Sequence, residues 1–466
     1  MIQDNDPAMD LLLAELPTAP GIIIANDLTP SLSSDYQVLD FTALQEPEHS
    51  CIDISSIVLY KPTFSIDPLQ LFTQVLEALA PTGVLLIVDT FATRFSTVGS
   101  SQINLLSDFL ALAARFNFNL ELNHVLSVDE QHQQTTVLLK FTKGPYPKWR
   151  LSYLDKSDTK RMLGLFENTF HHVMSLALRQ WKYAHPDSLT VCVWEEDKLI
   201  GSLGGMPRKV LFFGQPQTAV QIGDVMVDAS KRGILTKTGP FFRMTATFLE
   251  RCAGFGKPFL FIFGFPNERH MRLSEHLNFY KEVGRLLEFS WPILAKPPSF
   301  FTYLSPVNHH NINALTLTIN RLWDLMAADL QNHVVGIKDW QYILNRYLQH
   351  PENTYQIFLI KHKLTRKVTG LMVAHVQAER CNLMDIIAPL ATIPTVLLHA
   401  RYLSNALHCE RLVCQISNSF AEHFKTTSYQ QESLSIPIAK DTWGAGPDYK
   451  DLIDAWWLMS GDMDFR

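Results

Sequence analysis

Cysteine is scarce: Cys51, Cys192, Cys252, Cys381, Cys409 and Cys414 are scattered over 466 residues, with no CxxC pair and no Cys/His spacing of zinc type. This excludes a disulfide framework and a structural zinc module, and predicts small buried side chains in a reducing compartment. The pairs His171-His172 and His309-His310 do not supply a metal site either, because adjacent helical residues point in different directions and no Cys or carboxylate cluster completes them. Long hydrophobic runs are missing too. LLLAEL and GIII near the N-terminus follow no basic segment and are too short for a signal or a membrane span, and no uncharged apolar stretch of about eighteen residues occurs later. Positive charge is not in excess, since Lys+Arg 40 against Asp+Glu 46 gives a formal net charge of -6. No broad field attracts a phosphate backbone. The sequence therefore reads as cytoplasmic, with no nucleic-acid, membrane or metal partner.

What is present is core material. Hydrophobic residues make up 47% and charged residues 18%, a globular balance. A prior of roughly 150 residues per domain predicts about three domains. KGPYPKW (143–149) and AKPPSFF (295–301) carry Gly and Pro that break helix and ladder alike, which sets segments 1–146, 147–298 and 299–466.

In the first segment GIIIAN, YQVLDF, ISSIVLY, Val84 to Val88 and TTVLLKF are short β-branched runs, as buried parallel strands are, and Pro68 to Ala80 has helical spacing. The pattern predicts an open, Rossmann-like α/β sheet. IDPLQLFTQVLEALAPTGVLLIVDTF, with its turn Pro81-Thr82-Gly83, resembles the later half of a class I methyltransferase that uses S-adenosylmethionine. The glycine-rich loop that lets backbone amides approach that cofactor is absent: GIIIANDLTP has one glycine, ahead of the strand. A degenerate methyltransferase-like domain, kept for packing or docking, is the expectation.

The other two segments share an outline. Trp181-Lys182-Tyr183-Ala184-His185-Pro186 precedes LTVCVWEEDKLIGSLGG, and Arg346-Tyr347-Leu348-Gln349-His350-Pro351 precedes TYQIFLIKHKLTRKVTGLMVAH. Each is an aromatic and His-Pro turn followed by a hairpin, so a tandem duplication of one α+β unit is predicted.

Chemistry concentrates in QIGDVMVDASKRGILTKTGPFFRMTATFLERC, residues 221 to 252. Val220 to Val227 reads as a strand, Asp228 to Gly233 as a tight basic turn, and the stretch from about Thr238 as an amphipathic helix with Phe241, Phe242, Met244, Phe248 and Leu249 on its core side. Strand, Gly-containing turn and helix N-terminus together offer backbone N–H groups to an anion, and Lys231, Arg232 and Lys237 add charge.

This element resembles the GNAT acetyltransferase superfamily, whose strand-turn-helix holds the CoA pyrophosphate on backbone amides. The family signature is Arg or Gln, two residues, Gly, one residue, then Gly or Ala; here Ser230, Gly233 and Leu235 stand at those places, so the glycine alone is kept. LFIFGFPNERHMRLSEHLNFYKEVG (260–284) resembles the family's next strand, Asn turn, helix and final strand, with Ser274 where an acidic tyrosine often stands and Asn278 where a glycine does. The resemblance implies acetyl-CoA held by Met226, Val227, Lys231, Arg232, Gly233, Ile234, Leu235, Thr236 and Asn267. Direct transfer to an amine needs a base and commonly an acid. Asp224, with Glu195 and Glu196 on a neighbouring strand, is the candidate base, and Tyr280 or His270 the candidate proton donor.

The last segment has Pro389 and Pro394 and no glycine in LMDIIAPLATIPTVLLHARYLSN, so a second copy that binds no CoA is predicted. WWLMSGDMDFR reads as a docked C-terminal strand, with Asp462 and Asp464 as possible lining of a cleft between copies. The combined expectation is a Rossmann-like domain followed by two GNAT-like mixed-sheet domains, acting as an N-acetyltransferase on a small-molecule or peptide amine. A non-catalytic scaffold or ligand-binding protein built from the same folds is the alternative.

Overall fold

The computed structural model describes residues 11–12, 14–15, 21–25, 36–39, 54–60, 67–93, 104–234, 236–307, 312–426 and 428–463. Cys51, Leu235, His309-His310 and Asp464 lie outside the described residues. The chain is a mixed α/β structure of two compact units that alternate along the sequence: Met1–Val173, Leu189–Gly204 and Asp224–Lys257 make the first, and Met174–Ser188, Gly205–Gly223 and Pro258–Arg466 the second.

The first unit starts with strands β1 (Gly21–Ala25), β2 (Tyr36–Leu39) and β3 (Ile54–Tyr60), helix α1 (Pro68–Ala78), β4 (Leu79–Ala92), α2 (Leu106–Arg115), β5 (Phe118–Asp129) and β6 (Gln134–Lys143). Their order is β2-β1-β3-β4-β6-β5, the first four strands parallel and β6 antiparallel to both neighbours. Ile57 to Leu59 and Leu85 to Val88 are buried throughout, which is why the central strands read as unbroken apolar runs. Asp67 caps α1 by accepting from Leu69 N–H at 2.8 Å, Pro68 takes the first helical position, and Phe72 packs among Phe109, Phe116 and Phe118.

The same unit holds β7 (Arg150–Tyr153), α3 (Thr159–Phe170), β8 (Leu189–Glu195), the first part of β9 (Lys198–Phe212), the end of β10 (Gln215–Val227) and α4 (Pro240–Cys252). Nearly every residue of α4 is buried. Its last turn is held by ion pairs: Arg115 reaches both oxygens of Glu250 at 2.5 and 2.7 Å, Arg251 meets Asp67 at 2.6 Å and Asn104 at 2.7 Å, and just beyond the helix Lys257 meets Asp108 at 2.7 Å, whereas Arg243 Nε and Thr245 Oγ1 are buried without a partner among the described residues. Glu250→Gln keeps the shape and removes the charge from a nearly dry pair. It is expected to lower stability by about 2 kcal/mol, seen as a lower urea midpoint; an unmoved midpoint would mean that the pair is as well solvated unfolded as folded.

The second unit contains β11 (Ile262–Gly264), α5 (Glu268–His276), β12 (Tyr280–Pro292), β13 (Thr302–Pro306), α6 (Ile312–Asp329), β14 (Val334–Gly336), β15 (Gln356–His362), β16 (Val368–Gln377), β17 (Arg380–Ile387), α7 (Ile393–Ala406), β18 (Arg411–Ser417), β19 (Gln430–Asp441) and β20 (Trp456–Trp457). The strand order is β13-β15-β16-β17-β18-β12-β19-β11-β10-β9-β14-β20. Strands from either side of residue 298 thus share one sheet, and β19 is threaded between β11 and β12, with Lys440 opposite Phe263 and Lys281.

The C-terminal segment is buried as a docked strand, Trp456 and Trp457 running parallel to Val334 and Val335. Behind it Lys338, 0% exposed, sits 2.7 Å from Asp385 Oδ1 and 2.9 Å from both oxygens of Asp462, while the hydroxyls of Tyr342 and Tyr347 each donate to Asp385 Oδ2 at 2.6 Å. Burial opposes the ammonium charge, yet the two carboxylates outweigh it and hold Lys338 protonated. Gly461 closes over this group, where a Cβ would collide with Tyr347 Oη and Asp385 Oδ2. Asp462, read from sequence as possible cleft lining, is instead a fully engaged partner of Lys338. Cys192, Cys252, Cys381, Cys409 and Cys414 are buried free thiols.

Candidate functional site

β10 pairs with β11 in parallel only through Val220↔Ile262 and Gln221↔Phe263, and continues to Val227. Met226 and Val227 are buried at its end. Asp228 then stops the strand. Its N–H donates to Ile200 O at 2.7 Å, and its carboxylate accepts from Ser230 N–H and Oγ and from Lys198 Nζ, which caps the single 3-10 turn Ala229–Lys231. Lys198 first and Ser230 second hold that carboxyl well below the usual carboxylate range.

Beyond it, Lys231 N–H closes on Asp228 O at 2.9 Å and Ile234 N–H on Lys231 O at 3.2 Å, so these two amides of the predicted anion cradle serve the turn itself. The N–H groups of Arg232 and Gly233 have no partner among the described residues, and a Cβ placed on Gly233 would meet nothing within 4 Å. Gly239, the N-cap of α4, packs against the carbonyl of Ile234 so closely that no side chain fits. Thr236 Oγ1 lies 2.9 Å from Thr238 Oγ1.

The cations divide. Lys231 is held by Glu195 at 2.6 Å and lies 5.4 Å over the Trp149 ring. Arg232 donates Nε to Val227 O at 2.9 Å, and neither it nor Lys237 has a carboxylate partner among the described residues. Asp224 takes φ 51 in the middle of β10, a left-handed backbone that a non-glycine residue seldom adopts inside a strand. Glu196 takes φ 53 in the turn between β8 and β9.

Asn267, Tyr280, His270 and Ser274 belong to the second unit. The side-chain oxygen of Asn267 caps α5, accepting from His270 N–H at 2.9 Å. Tyr280 is buried against the His270 ring, centroids 6.4 Å apart, and its hydroxyl has no partner among the described residues. Burial, then the Asp441 carboxylate, push that phenol up, while burial pushes the His270 imidazole down to about 4. Ser274 Oγ is likewise buried and unpartnered among the described residues. Asn278, where the resemblance leads one to look for glycine, takes φ 58 just past α5, a position asparagine tolerates.

Sequence reasoning missed Asp441, which accepts from Ile262 N–H at 2.6 Å and faces Tyr280 across the ladder, because nothing in SIPIAKDTW announces its insertion beside β11 and β12. It also missed Trp149, the last residue of the 143–149 linker, whose ring lies under Lys231.

Residues 150–272 match the family model described as "Acetyltransferase (GNAT) domain". No curated protein sequence matches the chain. Among solved structures the fold is similar to a conserved protein of unknown function from Enterococcus faecalis V583, described as a "probable N-acyltransferase" (13% identity, 63% of this chain and 72% of that one, TM-score 0.48). It is also similar to a GCN5-related N-acetyltransferase from Kribbella flavida (13% identity, 62% and 70%, TM-score 0.46). A third is the Saccharomyces cerevisiae N-myristoyltransferase with bound myristoyl-CoA and inhibitors (10% identity, 65% and 82%, TM-score 0.42).

Proposed function

We infer that this protein is an acyl-CoA-dependent N-acyltransferase, with acetyl-CoA as donor and a small-molecule or peptide amine as acceptor. The carrying observation is the pair of open amides at Arg232 and Gly233, set between the end of β10 and the N-terminus of α4 with Arg232 and Lys237 uncommitted to any described carboxylate. Open amides, a glycine without neighbours and two available cations fit a diphosphate. Met226, Val227 and Thr236 flank them, and Lys231 would join only by leaving Glu195. Acetyl-CoA, when bound, supplies a thioester carbonyl. Asp224 then takes a proton from the attacking amine, and CoA leaves as the thiolate.

We place this chemistry in segment 147–298, behind a degenerate methyltransferase-like segment 1–146, with 299–466 as a second GNAT-like copy that binds no CoA. Supporting the duplication, both His-Pro turns use the same device: His185 Nδ1 accepts from Asp187 N–H, and His350 Nδ1 from Glu352 and Asn353 N–H. Supporting the loss of CoA in the second copy, Leu390 N–H ahead of α7 is taken by Asp329 at 2.7 Å.

Calorimetry with acetyl-CoA tests the reading. Micromolar binding is expected, with Gly233→Trp weakening it at least about 30-fold at an unchanged melting temperature, roughly 2 kcal/mol in binding. Absence of both heat and thermal shift would favour the scaffold. For the chemistry, Asp224→Asn should lower kcat on amine acceptors by about 100-fold or more without moving the acetyl-CoA Kd; an unchanged kcat removes Asp224 as the base.

A further inference from the structure

β13 is the terminal strand of its sheet, and the chain entering it carries side chains that a water-facing edge does not require. Phe300 is 81% exposed, Phe301 60%, and Leu364, in the turn between β15 and β16, 81%. These residues form one surface. Lys363 N–H donates to Phe301 O at 2.7 Å, the Lys363 ammonium lies 4.8 Å over the Phe300 ring, Phe301 stacks on His362, and Arg366 donates to Tyr303 Oη at 2.8 Å. Isolated exposed apolar side chains are ordinary, but a contiguous group calls for a partner.

Charge says which partner. Lys296, Lys363, Arg366 and Lys367 are exposed here, and Lys361 partly so. In a chain of net charge -6, residues 293–306 and 353–378 contain no Asp or Glu, nor does α7, which His399 ties to Thr302 at 2.8 Å. Among the described residues none of these cations has a carboxylate partner.

We propose that the Phe300-Phe301 connection and the β15–β16 turn dock this protein peripherally on an anionic lipid surface, the two phenylalanines and Leu364 entering the headgroup boundary while the surrounding cations face lipid phosphates. Apolar side chains ringed by Lys and Arg are the composition that interfacial binding uses, and neither contribution alone anchors firmly. The contact needs no spanning segment, and among the described residues no helix is long and apolar enough to cross a membrane. Nucleic acid is the weaker match: the chain lacks a broad positive field, and aliphatic Leu364 gives a base nothing to stack on.

The test mixes the full-length protein with vesicles of phosphatidylcholine alone and of phosphatidylcholine with phosphatidylglycerol, read by co-flotation. Binding to the anionic vesicles alone is expected, reduced about tenfold or more by Lys363→Glu with Arg366→Glu and, separately, by Phe300→Ser with Leu364→Ser, at unchanged melting temperature. Equal flotation with both vesicle types, or with neither, overturns the proposal. So does tighter binding to duplex DNA than to the anionic vesicles, or self-association that the Phe300→Ser, Leu364→Ser variant abolishes while vesicles stay unbound.

Discussion

Lys338→Met is expected to cost about 3–5 kcal/mol of stability, the range for breaking a buried ion pair from one side. The substitution fits the space but leaves Asp385 and Asp462 facing each other without a cation. Water cannot replace it, because Lys338 and Asp385 are fully buried and Gly461 leaves no room above them. One carboxyl must then take a proton, or the C-terminal segment must lift away. The triple variant Lys338→Met, Asp385→Asn, Asp462→Asn separates these costs, since it removes all three charges and should recover most of the loss. Urea denaturation followed by tryptophan fluorescence reads the outcome through Trp456 and Trp457. A single variant as stable as the parent would mean that the group is hydrated and contributes nothing net.

The second large effect is on pH. Burial pushes both His270 and His399 down to about 4. In the unfolded chain each titrates near 6.5, so between those values the unfolded state binds more protons and stability rises with pH. The stabilisation is complete above about 6.5 and is lost as pH falls toward 4, at roughly 3 kcal/mol per ring once both limits are passed. Asp89 works the other way. Burial first, against one bond from Thr90 N–H, raises its carboxyl to about 6, so the folded first unit binds the extra proton and loses stability as pH rises from about 4 to 6. Burial also pushes His350 down to about 4 and lowers His333 and His375, against carboxyls raised by burial at Asp441 and Asp462, so melting temperatures measured from pH 4 to 8 should rise overall. His399→Gln should flatten the slope, and Asp89→Asn should stabilise at pH 7.5 and do nothing at pH 4. An unchanged slope for His399→Gln would mean that its ring is hydrated in the fold.

What was legible in the sequence was whatever short-range pattern controls. β3 and β4 stood out because parallel strands covered on both faces are continuous apolar runs, and α1 because Pro68 marks a helix start. The strand-turn-helix at 215–252 was readable for the same reason, down to the tight turn at Asp228. TTVLLKF was recognisable as a strand, β6, but it pairs antiparallel with both neighbours and not parallel as expected, since an apolar run does not encode strand direction. β5 was passed over although Phe118 to Asn123 alternates apolar and polar; the alternation breaks at His124-Val125-Leu126, and most of the strand is exposed. Long-range assembly was equally hidden. Lys338, Asp385 and Asp462 are separated by 47 and 124 positions, and no local feature predicts that they meet. Within the turn, composition announced cations and a glycine but could not say that Glu195 already holds Lys231, or that Lys231 and Ile234 spend their amides on the turn.

The threading of β19 between β11 and β12 bears on how the protein is made. A ribosome releases β12 long before β19, and at about 5–20 residues per second the two earlier strands wait roughly ten to thirty seconds with bare edges. During that interval the nascent chain is a template for wrong partners, so a holding chaperone, or a pause in translation, would be felt most between Pro292 and Gln430.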